Sequence, residues 1–249
     1  MTAYKSKLDK ELESLEAQYG FTRPDRGSFD DPNIQWREGK PDYRSLDLLY
    51  YKGKNKNHAV GSLEMIVENL VKKWEMQMTY MTSPKDWSTV KLDEFRVMVN
   101  HGQEMTGQDA VKVGTYNWVM KEISKDLYDA ENETFESSHK LFRGAFSGGF
   151  LWEVLEVYSG PPKVAFSWHH WGAFSGEYKG VKGDGQKIEL YGFTIATVNS
   201  DLKILKLEVY SKFEGFLRAL QGKATPEDLV RGQELVGTEC PIHKQVKTK

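Results

Sequence analysis

"KVAFSWHHWG", residues 163–172, decides how this chain is read. The stretch is rich in β-branched and aromatic residues and ends in glycine, so it is predicted to be a strand. Successive strand side chains point to opposite faces. Val164, Phe166, Trp168 and His170 then share one face, and Ala165, Ser167, His169 and Trp171 share the other. The first set is the more apolar and is assigned inward. The segments around it have the same character: "FLWEVLEVYS" (150–159), "QKIELYGFTIATV" (186–198) and "LKILKLEVYS" (202–211). Ten of the 22 glycines fall between 144 and 192, which suits sharp turns and a strongly bent sheet.

Helices precede this meander. Leu8, Leu12, Leu15 and Tyr19 recur at helical spacing over residues 4–19. Ser62 caps "SLEMIVENLVKKWEMQMTYM" (62–81), whose face is Leu63, Ile66, Val67, Leu70, Trp74, Met78 and Met81. "FRVMVN" (95–100) alternates as a short strand, and "TGQDAVKVGTYNWVMKEI" (106–123) is predicted to be one helix capped by Thr106. "FEGFLRALQG" starts as a short helix after the last strand. Residues 20–60 are rich in Pro, Gly, Asp and Asn, which predicts an irregular arm lying on the domain. Helices first and strands later argue α+β, with helices on one face of a mostly antiparallel sheet. The expected division is an arm over 1–60, a main domain over 61–222 and a tail over 223–249, with a helical turn begun at Thr225-Pro226.

Composition narrows the function. Among 249 residues, 34 Lys plus Arg nearly balance 36 Asp plus Glu, so no clustered basic face for nucleic acid is expected. The short patch Lys52-Gly-Lys54-Asn-Lys56 is taken as a solvated loop. No apolar run is long enough to span a membrane, and the charged start predicts no signal peptide. Cys240 is the single cysteine, so neither an internal disulfide nor a multi-thiolate zinc site can form, and a cytoplasmic, reducing compartment is expected.

Strand alternation splits His169 from His170, so the pair cannot chelate one metal, and no metal site is predicted. His170 sits at the end of the inward aromatic stripe, where a neutral imidazole near its pKa moves protons at pH 7. His169 and Trp171 are expected on the outer face, exposed and available for a dimer contact. Glu208 and Tyr210 share one face of the last strand, and Glu214 follows at the turn beyond it. Glu153 and Glu156 are expected on opposite faces, so at most one enters. Tyr191 is a further hydrogen-bond donor candidate. Phe166, Trp168, Trp74, Met78 and Trp152 are the candidate lining of an apolar pocket. The glycines of "GVKGDGQK" (180–187) precede a strand, which makes this a hairpin turn and not a phosphate cradle.

"WGAFSGEYKG" (171–180) followed by "GDGQKIELYG" (183–192) resembles the pattern of SnoaL-like polyketide cyclases. "EVYSKFEGFLRALQG" (208–222) is similar to that family's last strand and short helix. Within this nuclear transport factor 2-like superfamily, the chain resembles plant pathogen-related proteins and their fungal relatives. "WREGKPDY" (36–43), "KWEMQM" (73–78), "WEVLEVYS" (152–159), "HWG" (170–172) and "ECP" (239–241) carry that resemblance. It implies a cone-shaped α+β fold whose curved sheet wraps a pocket, and dimers formed through the outer sheet face. It also implies cofactor-free acid–base chemistry on a small apolar carbonyl compound by an acidic residue matching Glu214. Tyr210 stands where the cyclases carry tryptophan, and His170 substitutes for their strand histidine. Non-catalytic binding of a hydrophobic ligand in stress or defence is the alternative.

Overall fold

The computed structural model describes residues 6–27, 29, 31–225 and 228, and in it the chain lays down helices first and sheet second. α1 (Lys7–Tyr19) opens on a capping box in which Ser6 and Asp9 satisfy each other's backbone N–H groups. Gly20, at φ 65°, takes the left-handed conformation that ends it. α2 (Arg44–Gly53) follows, then α3 (Leu63–Tyr80), where the Ser62 side chain accepts from the Met65 N–H. β1 (Arg96–Val99) and β2 (Met105–Thr106) lead to α4 (Gly107–Val113), α5 (Thr115–Val119) and α6 (Phe135–Ala145). The long strands are β3 (Leu151–Ser159) and β4 (Lys163–Phe174), and after the small hairpin β5 (Glu177–Tyr178)–β6 (Val181–Lys182) come β7 (Gln186–Val198) and β8 (Ile204–Ser211). α7 (Phe213–Leu220) closes the described part. The expected turn at Thr225-Pro226 and the motif at 239–241 lie outside the described residues.

The main sheet has the order β2-β1-β8-β7-β4-β3 and is antiparallel except where β1 runs parallel to β8. β4 pairs with β7 along its whole length, from Lys163↔Thr197 to Phe174↔Gln186. Register breaks at Val154/Glu156, Val157/Ser159 and Thr197/Val198 bend the sheet as bulges do. The result is the α+β architecture expected, a curved sheet with helices packed inside the curve. α3 lies against β3, where the Trp74 and Trp152 rings meet edge-on at 6.0 Å and Lys72 Nζ donates to the Trp152 carbonyl.

Three local expectations are corrected. The helix predicted over 106–123 breaks at Gly114, whose φ of 87° ends α4. A Cβ there would lie 2.7 Å from the Phe135 ring, so only glycine fits. The arm is not wholly irregular, because Arg44–Gly53 forms α2 and buries Tyr50 and Tyr51. The bulge in β3 resets alternation: Glu153 pairs with His169 and Glu156 with Ser167, so both glutamates face outward.

The outer face is the largest correction. His169 and Trp171 do point outward, yet His169 is 0% exposed and Trp171 is 5% exposed. The arm covers them. Tyr50 of α2 stacks on Trp171, and Leu12, Tyr51, Leu151 and Trp171 form a second small core. Gly53 approaches so closely that an added Cβ would lie 2.7 Å from the Trp171 indole nitrogen. The loop after α2, expected to be solvated, binds buried Glu153: the Asn55 and Lys56 N–H groups each donate at 2.6 Å, and Asn55 Nδ2 donates at 2.9 Å. His169 lies between Glu153 (3.6 Å) and Glu189 (3.1 Å) and stacks on Tyr191. A buried polar group needs partners, and here the arm supplies them. Trp171 and His169 therefore offer no free surface for the dimer contact predicted for them.

Candidate functional site

The concave side of the sheet encloses a cavity of about 470 Å³, within the range that holds a drug-sized ligand. α3 forms one wall with Val67, Leu70, Val71, Trp74 and Met78, and the inward residues of β4, β7 and β8 form the other. Phe142, Phe146 and Phe216 close the gap between sheet and helices, stacked in succession. Tyr43 and Leu46 show that the arm is also part of the wall. Arg26 fixes it there, with its guanidinium 3.8 Å above the Tyr43 ring and paired with buried Asp47 at 2.6 Å.

The predicted lining residues Phe166, Trp168, Trp74, Met78 and Trp152 all border this cavity, as does His170. His170 is stacked between Phe150 and Trp152, each at 4.8 Å. Burial drives its pKa well below the ordinary value, and nearby Lys72 adds to the effect. It is thus a neutral ring at pH 7 and not the half-protonated shuttle expected. Its buried Nδ1 has no hydrogen-bond partner among the described residues.

The other predicted acid–base residues do not reach the cavity. Glu208 lies on the outer face of β8, 3.8 Å from Lys206, while its neighbours Leu207 and Val209 point in. Tyr210 shares that outer face and packs on His101. Tyr191 is 38% exposed and stacks on His169 from outside. Glu214 stands in the first turn of α7, whose inward residues are Phe213 and Phe216. The alternation that sends leucine and valine inward along β8 necessarily sends the polar residues out.

The carboxyl group that does line the cavity is Glu75 of α3. It has no hydrogen bond or ion pair with any described residue. Although half-buried, it faces the cavity and is enclosed by protein, and burial raises its pKa; Lys72 and Arg26 offset part of that rise. Three cavity-lining phenols surround the same end: Tyr43, Tyr80 and Tyr116. Burial, reinforced by the Glu75 charge, raises the pKa of each, so all three keep their O–H donors at neutral pH. His139 and Arg143 of α6 complete the group. His139 Nδ1 donates to the Phe135 carbonyl at 2.7 Å, which fixes the tautomer and leaves Nε2 as an acceptor. Burial lowers its pKa to about 4. Arg143 pairs with Glu38 of the arm at 2.6 Å and lies over the Tyr80 ring. The sequence does carry a signal for Glu75. It is four residues after Val71 and three before Met78, so it interrupts an apolar helical stripe with a carboxylate.

Among the described residues no group of three or more His, Cys, Asp or Glu side chains is arranged to hold a metal ion, and no helix is long and apolar enough to cross a membrane.

No protein-family model matches the chain. Among solved structures it is similar to one described as a SnoaL-like polyketide cyclase from Jannaschia sp. CCS1 (15% identity, 70% of this chain, 100% of that chain, TM-score 0.37). It is also similar to a protein with a ketosteroid isomerase-like fold from Catenulispora acidiphila (13% identity, 65% and 97% covered, TM-score 0.36). A pathogen-related protein of barley, Hordeum vulgare, is 34% identical over 188 residues, covering 73% of this chain and 80% of its own length. With that identity over that length, the chain belongs to the pathogen-related protein family.

Proposed function

We propose that this protein binds a small, largely apolar, carbonyl-bearing metabolite in the cavity and moves a proton on it without a cofactor, as an isomerase, cyclase or dehydratase does. The observation that carries this reading is one carboxyl group, Glu75, without a hydrogen-bond or ion-pair partner among the described residues, facing a largely apolar cavity beside neutral phenols. A raised carboxyl pKa makes a stronger general base. In the proposed step, the ionised Glu75 takes the proton from the carbon next to the carbonyl. The C–H electron pair becomes the carbon–carbon double bond of an enolate. Negative charge then gathers on the oxygen, where a phenol O–H from Tyr43, Tyr80 or Tyr116 donates to it. The protonated Glu75 returns its proton to complete the isomerisation or exchange. His170 serves as a neutral hydrogen-bonding ring in the wall, not as the base. Glu214 and Glu208 take no part, since neither lines the cavity.

A second reading is non-catalytic binding of the same kind of ligand. It is favoured by the absence, among the described residues, of any hydrogen bond that orients Glu75. One experiment separates the two: deuterium exchange from solvent into the α-carbon of a bound methyl ketone. Catalysis predicts exchange that Glu75→Gln abolishes and that Glu208→Gln and Glu214→Gln leave intact. Tight binding without exchange in the wild-type protein selects the second reading.

A further inference from the structure

The cavity is divided by polarity along its length. Its ionisable lining residues, Tyr43, Glu75, Tyr80, Tyr116, His139, Arg143 and His170, lie from the middle of the cavity to the end formed by the last turns of α3, by α6 and by the arm. The opposite end has none. There the start of α3, the β3–β4 turn and the β7–β8 turn come together: an added Cβ on Gly160 would lie 3.7 Å from Leu63, and the Val198 N–H donates to the Pro162 carbonyl at 2.8 Å. The lining at this end is Leu63, Ile66, Pro161, Val164, Val198 and Leu202. It also carries the exposed lining residues. Ile66 is 47% exposed and Leu202 is 45% exposed, and Pro161 is exposed as well. At the polar end the arm covers the cavity with Tyr43 and Leu46, both half-buried.

Leu202 adds an independent mark. Its φ is 59°, a left-handed conformation that glycine or asparagine adopts with little strain and leucine does not. Asn199 holds the turn, accepting from Asp201 and Lys203 through its side chain and from Leu202 through its carbonyl. Local strain of this kind, held by its surroundings, points to a use for the side chain. Here the side chain lines the exposed end of the cavity.

We propose that this apolar mouth is the ligand's entrance, and that the cavity takes an elongated amphiphile: a carbonyl head at the Glu75 end and a linear apolar tail that reaches the mouth against Leu202 and Ile66. The nine helical steps from Ile66 to Glu75 span about 14 Å, which sets the length of tail the cavity accommodates. The proposal rests on the reading above only in placing the head beside Glu75.

The test is a series of methyl ketones with chains from butyl to dodecyl, titrated into the full chain and followed by emission from the lining tryptophans Trp74, Trp118, Trp152 and Trp168. Affinity is expected to climb with chain length until the tail reaches the mouth. Leu202→Gly and Ile66→Ser then each weaken the long ketones about tenfold and leave the butyl ketone unchanged. Leu202→Gly removes the strain, so its melting temperature equals or exceeds that of the wild type and verifies the fold. Affinity independent of chain length, or rim variants that affect short and long ketones alike, overturns the proposal. If the chain-length profile persists while no proton exchange occurs, the catalytic reading fails and this one stands. If exchange occurs on short ketones with no rim effect, this proposal alone fails.

Discussion

Replacing Glu153 tests how the arm is held on the outer sheet face. The carboxylate is 0% exposed and accepts three hydrogen bonds, from the Asn55 and Lys56 N–H groups at 2.6 Å and from Asn55 Nδ2 at 2.9 Å. Glu153→Ala deletes both acceptor oxygens and with them all three bonds. A buried donor left unpaired costs about 1–3 kcal/mol, and water reaching the exposed Asn55 and Lys56 reduces that, so the loss is expected at about 2–4 kcal/mol. Glu153→Gln keeps one oxygen for the two backbone donors, and Asn55 can turn its amide to face the new one. Only charge assistance is lost, at about 1 kcal/mol. Urea denaturation gives the global change, and hydrogen exchange at the Asn55 and Lys56 amides gives the local one. Burial raises the Glu153 pKa, but the nearby His169 ring and the hydrogen bonds from Lys56 and Asn55 outweigh it, leaving the pKa below its ordinary 4.5. The unfolded chain therefore binds that proton more readily, and the stabilisation is present above about pH 4.5 and fades as pH falls through the lower folded-state pKa. A Glu153→Ala variant within 1 kcal/mol of wild type, with unchanged exchange at both amides, refutes the reasoning.

Other outcomes follow from the cavity. Gly192→Ala puts a Cβ 2.1 Å from the buried Trp168 ring, which overpacks the wall at a cost of about 1–3 kcal/mol; unfolding midpoint and tryptophan emission report it. His139, with its pKa lowered to about 4, takes up its proton later than the unfolded chain as pH falls. Stability should thus drop by about 3 kcal/mol between pH 6.5 and 4 on its account, and His139→Phe should remove that part of the slope in a series of denaturation curves.

The strand pattern was legible because period-two alternation and turn residues are local signals. β4 shows this best: Val164, Phe166, Trp168 and His170 all line the cavity as alternation requires. What failed was whatever depended on partners far along the chain. Nothing near His169 and Trp171 says that Tyr50 and Asn55, more than a hundred residues earlier, lie on them. The β3 bulge that sends both glutamates outward is likewise a property of pairing with β4. The carboxylate of the cavity was harder to read for a different reason. The family resemblance drew attention to the end of the last strand, whereas the carboxylate inside the cavity interrupts the apolar stripe of α3 at Glu75. That interruption is visible in the sequence once helical spacing is applied to polar residues as strictly as to apolar ones.

The most direct measurement is a carboxyl carbon-13 NMR titration, with the Glu75 resonance assigned by its loss in Glu75→Gln. The account predicts a Glu75 pKa above the ordinary 4.5 and a shift of that resonance when a methyl ketone saturates the cavity. A Glu75 carboxyl that titrates at or below 4.5, or that is blind to the ligand, contradicts it.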